Sequence, residues 1–128
     1  MPLSPRRTAP ATLRRATGPE AEIQAALLKF LKIRDWHVME THGNMYQAGF
    51  PDLYICHYSL GTRWVEVKVK DKYKFTPAQL KNFPMMSAKN VGIWILTAAT
   101  ENEYRKLQGP ANWAFFLDVM KPNSRLRL

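Results

Sequence analysis

Cysteine is almost absent from this chain, and its one thiol, Cys56, excludes an internal disulfide and any zinc site built from several thiolates. Cys56 stands in an apolar run, where it reads as a small buried thiol and not as a nucleophile. Long apolar runs are missing too. Nothing approaches the roughly 20 residues that cross a bilayer, and the N-terminus lacks the apolar core of a secretory signal. No membrane partner and an intracellular, reducing location are therefore expected. Acids are scarce: ten Asp and Glu stand against 19 Lys and Arg, giving a net charge of +9 and a pI near 9.9. Such a surplus on a small domain favours a polyanionic partner, nucleic acid before an acidic membrane surface.

What is present suffices for one core. With 128 residues, 46% of them hydrophobic and 12% aromatic, a single compact domain is expected, preceded and followed by basic segments. Residues 1–19 hold four of the nine prolines and Arg6, Arg7, Arg14 and Arg15, which reads as a basic arm. Their Arg and Thr content resembles a mitochondrial transit peptide, but Pro2, Pro5 and Pro10 oppose the amphipathic helix such a peptide forms. The domain is expected over 20–118, and 119–128 as a basic tail with Lys121, Arg125 and Arg127.

Within the domain, Ile23, Ala26, Leu27, Phe30 and Leu31 recur at helical spacing and predict a helix over 20–34. Trp36–Thr41, Leu53–Tyr58 and Trp64–Lys70 predict three strands. In the last, Val65, Val67 and Val69 take one face while Glu66, Lys68 and Lys70 take the other. Thr76-Pro77-Ala78-Gln79 opens a second helix running to about Lys89, with Thr as N-cap, Pro at the first helical position and Gln three residues on. Val91–Leu96 predicts a buried strand, 101–108 a weaker helix and 113–118 a further strand. The order α-β-β-β-α-β predicts an α/β fold, a mixed sheet flanked by helices.

The charged face of the third strand points to chemistry. Glu66 and Lys68 project together, roughly 6–7 Å apart by the rise of a strand. The short turn at Ser59-Leu60-Gly61 brings Asp52, at the start of the preceding strand, toward them. Two carboxylates and an ammonium at one sheet edge suit phosphodiester hydrolysis. Hard Mg²⁺ or Mn²⁺ prefers oxygen ligands and can polarise a phosphoryl oxygen, while a lysine offsets the charge that builds on phosphorus.

Pro51-Asp52 followed by Glu66-Val67-Lys68, with Glu66 fourteen residues beyond Asp52, resembles the PD-(D/E)XK motif of that nuclease superfamily. Adding Glu20-Ala21-Glu22-Ile23-Gln24, Gly49-Phe50-Pro51-Asp52-Leu53 and Thr76-Pro77-Ala78-Gln79, the chain resembles the VRR-NUC family over about residues 20–97. The resemblance implies a restriction-endonuclease-like αβββαβ core. It implies Asp52, Glu66 and the Val67 carbonyl as ligands of Mg²⁺ or Mn²⁺, and Lys68 as the catalytic lysine. A first-helix acid completes such sites, and Glu20 fits the family's spacing better than Glu22. Gln79 matches a supporting glutamine. The implied activity is DNA hydrolysis, structure-selective on branched DNA in the manner of a Holliday-junction resolvase, by a homodimer. Branched or duplex DNA is the expected partner, in a bacterial or viral-host cytoplasm and associated with nucleoid DNA.

Other readings stay open beside it: a flap, nick or single-strand nuclease, an exonuclease or restriction-like enzyme, or a basic binding module in which Glu66 and Lys68 form only a salt bridge. Lys70, Lys72 and Lys74 read as a stripe gripping the phosphate backbone. His42-Gly43-Asn44 reads equally as a substrate loop or a turn. His37 and His57 lack metal-binding spacing. Of the four tryptophans, Trp64 shares the Glu66–Lys68 face and could stack on a base.

Overall fold

The computed structural model describes residues 18–41 and 48–120, the last three by backbone alone. Helix α1 (Pro19–Ile33) starts on a proline, where the missing N–H costs nothing, and carries Glu20 and Glu22 in its first turn and Lys32 in its last. It stops at Asp35, whose φ of 70° lies in the left-handed region, and Trp36 N–H closes on the Leu31 carbonyl at 3.1 Å. Strands β1 (His37–Glu40), β2 (Leu53–His57) and β3 (Gly61–Val67) form an antiparallel meander. Helix α2 (Pro77–Ala88) then crosses over, so that β4 (Ile93–Leu96) joins β3 in parallel and the sheet order is β1-β2-β3-β4.

The sheet is buried on both faces over β3 and β4. On one face Leu27 and Leu31 of α1 pack on Leu53, Ile55, Val65, Val67 and Leu96. On the other, Phe83 of α2 packs with Phe75, Ile93, Ile95 and Trp113. Each such fully buried side chain stabilises the fold by about 1.5–3 kcal/mol. Helix α3 (Glu101–Tyr104) runs into a 3₁₀ turn (Arg105–Gln108) that seats Leu107 in the first core.

Two sequence expectations are corrected. The segment expected as a strand over 113–118 is helix α4 (Trp113–Met120). Trp113, Phe116 and Leu117 all meet the second core, which is the i, i+3, i+4 spacing of a helix; a short apolar run carries no period strong enough to show it. The third strand, expected through Lys70, ends at Val67. Lys72 N–H bonds the Val69 carbonyl at 3.1 Å and Asp71 adopts a φ of 66°, so the chain turns where alternation was expected to continue. Lys70, Lys72 and Lys74 are exposed on a loop and do not form a strand stripe. Arg6, Arg7, Arg14 and Arg15, most of His42-Gly43-Asn44's loop, and the basic tail from Lys121 lie outside the described residues.

Candidate active site

Strand register assembles the site. Leu53 pairs with Val65, which sets Asp52 beside Glu66 at the next step of the antiparallel ladder. There the two acids interlock through the backbone. Val67 N–H donates to Asp52 Oδ2 at 2.8 Å, and Asp52 N–H donates to Glu66 Oε1 at 3.1 Å. The other oxygen of Glu66 accepts from Gln79 Nε2 at 2.7 Å and lies 3.2 Å from Lys68 Nζ.

Lys68 is as buried as its partner. Its ammonium also donates to Gln79 Oε1 at 3.0 Å and to the Lys74 carbonyl at 2.7 Å, and it lies 4.8 Å from the centre of the Phe75 ring. An ammonium has three donors, and all three are engaged. Gln79 joins the group to α2. As the third residue of a capping box, its N–H donates to Thr76 Oγ1 at 3.1 Å and its Oε1 accepts from Thr76 N–H at 3.0 Å. The Thr-x-x-Gln pattern thus does two things: it starts the helix, and it bridges Glu66 to Lys68.

The loop before Asp52 is clamped to the same helix. Gly49 has a φ of 87°, and a Cβ there would sit 2.7 Å from the Ala78 carbonyl oxygen, so only glycine fits. Asn82 Nδ2 donates to the Gly49 carbonyl at 2.9 Å. From the other side the Thr41 hydroxyl donates to the Pro51 carbonyl, and Thr41 N–H to the Asp52 carbonyl at 2.8 Å. Asp52 is therefore fixed from β1, β3 and α2 together.

Burial, reinforced by the charge of Asp52, pushes the Glu66 carboxyl up to about 8; Lys68 and the Gln79 hydrogen bond pull against that rise. Two buried carboxylates against one ammonium leave a site short of positive charge. A hard divalent cation on these oxygens would remove the repulsion that raises Glu66, so the donor set fits Mg²⁺ or Mn²⁺. Among the described residues no three His, Cys, Asp or Glu side chains cluster closely enough to hold a metal. Asp52 and Glu66 stand as a pair, and Glu20 is half-buried in the first turn of α1.

Sequence reasoning gave Gln24 no role. It lies one helical turn after Glu20, is only 6% exposed, and donates through Nε2 to Glu40 Oε1 at 2.9 Å, near the Asp52 end of the sheet. Its Oε1 has no partner among the described residues. A glutamine among the buried positions of an amphipathic helix was the signal available in the sequence.

No protein-family model and no curated protein matches the chain. A solved structure described as a VRR_NUC domain aligns with a TM-score of 0.55 over 72% of this chain and 92% of its own, at 17% sequence identity. The chain has the VRR_NUC fold. In it the expected α/β class stands: a mixed four-stranded sheet between helices, with the meander-plus-crossover order αβββαβ.

Proposed function

We propose that this chain belongs to the VRR-NUC family of PD-(D/E)XK nucleases and hydrolyses DNA phosphodiester bonds with a divalent metal. One observation carries the reading: Asp52, Glu66, Lys68 and Gln79, spread over 28 positions of sequence, form one buried, mutually bonded cluster at the ends of the two central strands. An incidental salt bridge on a solvated strand would be exposed. This one is not, and burying two acids and a lysine is costly unless the arrangement does something.

Asp52 and Glu66, with the Val67 carbonyl, would hold Mg²⁺ or Mn²⁺, which supplies a polarised phosphate and a more acidic attacking water. The rest falls to the chain. Glu66 must give up its proton before the pair can act as ligands, so its raised pKa ties competence to pH. Lys68 sets its side-chain nitrogen beside the acids, where it would offset charge developing on the phosphate; Gln79 and the Lys74 carbonyl fix its position in advance. The supporting metal-site role of Glu20 remains part of the proposal, as does a phosphate-gripping role for Lys70, Lys72, Lys74 and the arginines of the arm. Structure selectivity on branched DNA and action as a homodimer belong to the same proposal, since two symmetric sites give paired cuts from a small chain.

The test is cleavage of labelled duplex, flap, fork and four-way-junction DNA by wild type and Glu66→Gln, with Mg²⁺, Mn²⁺ or chelator. Metal-dependent cutting by wild type and its loss in Glu66→Gln are expected. Equal cutting by both proteins, or full cutting in chelator, refutes the assignment.

A further inference from the structure

The two faces of the sheet are not covered alike. Val38, Leu53 and Val65 face α1, but on the opposite face α2 and α4 cover only the β3–β4 half. The register there sets Met39 of β1 opposite Tyr54 of β2, and Tyr54 opposite Trp64 of β3. These three side chains form one row across the sheet. Its far end, Ile93 beside Trp64, is sealed under Phe83; its near end is open, with Met39 41% exposed. Phe50, 43% exposed, closes over the row, its ring edge-on to Trp64 with centroids 6.1 Å apart, while Tyr54 and Trp64 lie at 4.6 Å.

This row is the immediate neighbour of the acids. Tyr54 and Trp64 each stand two residues from Asp52 and Glu66 respectively, on the same face, one side-chain repeat of about 6.5 Å away. Phe50 stands two residues before Asp52. The loop that positions the aspartate therefore also positions the Phe50 ring, and Gly49 fixes both by docking on α2.

Resting on the nuclease reading, we propose that Phe50, Tyr54 and Trp64 form a stacking platform for an unpaired nucleobase beside the scissile phosphate. The preferred substrates are then strands with at least one unstacked nucleotide at the cut. Three features favour a base over a protein partner. The occupant must lie against a site suited to a phosphodiester; the chain carries a charge of +9; and aromatic faces bind any base through its π-surface. A fully paired base cannot use the platform, because its own faces are covered by its neighbours in the duplex.

Binding can be read without cutting. Full-length wild type, Phe50→Ala and Phe50→Trp are titrated in Ca²⁺ against two labelled probes, a fully paired duplex and the same duplex with a short single-stranded flap; sedimentation of each protein runs in parallel. Losing one stacked base predicts that Phe50→Ala weakens flap binding at least about fivefold more than duplex binding. Phe50→Trp restores it, and flap DNA quenches tryptophan fluorescence in wild type but not in a folded Trp64→Phe variant. Equal losses on both probes, or no loss, overturn the platform. So does dissociation of an oligomer by Phe50→Ala, which makes the patch a protein interface. A protein that binds in this pattern yet never cuts refutes the nuclease reading and leaves the platform standing; one that cuts, with Phe50→Ala unselective, does the reverse.

Discussion

Lys68→Ala tests whether the buried cluster is an electrostatic unit. In the wild type the ammonium lies 3.2 Å from Glu66 and is bonded to Gln79 and the Lys74 carbonyl, at 3% residue exposure. Removing it leaves two carboxylates, Asp52 and Glu66, with no cation against them. Breaking a buried pair by deleting one partner costs about 3–5 kcal/mol when the remaining charge persists. The sign with pH follows from Glu66. Its folded-state value is raised from 4.5 to about 8, so the folded state holds a proton that the unfolded state releases between those values. The contribution of Glu66 to stability without metal is therefore greatest below the unfolded value, declines as pH rises toward 8, and reaches its floor above it. Without Lys68 the folded-state value moves higher still. At about pH 6 both proteins hold Glu66 neutral and the variant loses mainly two hydrogen bonds, about 1 kcal/mol each. At about pH 9 the wild type carries an ionised, paired Glu66 while the variant must ionise it unpaired or keep it protonated at growing cost, so the gap widens toward about 3–5 kcal/mol, or roughly 12–20 °C of melting temperature. Thermal melts of both proteins in chelator at the two pH values measure this. A gap that is constant or narrows with pH refutes the coupling. In Mg²⁺, cleavage by the variant is expected to fall by about 10²–10³, as for other groups that stabilise transition-state charge.

Asp52→Asn keeps shape, removes the charge that helps to raise Glu66, and deletes a proposed metal ligand; melting in chelator at about pH 8 is expected to rise by a few degrees while cleavage falls by orders of magnitude, and a variant that cuts normally removes Asp52 from the site. Gly49→Ala forces a Cβ to within 2.7 Å of a helix carbonyl at a φ of 87°. A cost of about 1–3 kcal/mol in denaturant unfolding is expected, with a fall in cleavage that exceeds the loss of fold because Asp52 moves with the loop; an unchanged unfolding midpoint rejects the clamp.

Patterns of short range were legible in the residues themselves. Thr76-Pro77-Ala78-Gln79 announces a helix start because capping is decided within four residues, and α1 and the Leu53 strand fall within a residue or so of their expected bounds. Alternation likewise set Glu66 and Lys68 on one face, and the short turn at Ser59-Leu60-Gly61 brought Asp52 toward them, while Gln79 came only with the family resemblance. Burial was not legible. Alternation put Glu66 and Lys68 on one face without saying what covers it; only α2, laid across that face by the β3–β4 crossover, turns them into an interior pair and raises the Glu66 carboxyl. Nor could sequence end the third strand at Val67, since the bonds from Lys68 to Gln79 and to the Lys74 carbonyl join positions that local pattern cannot connect. The run over 113–118 became a helix because the second core offered three contacts at helical spacing. The row Met39–Tyr54–Trp64 spans three strands, and only their register brings it into existence. Residue type and spacing choose which groups can do the chemistry; tertiary packing sets their dielectric, their partners and the face left open to a substrate.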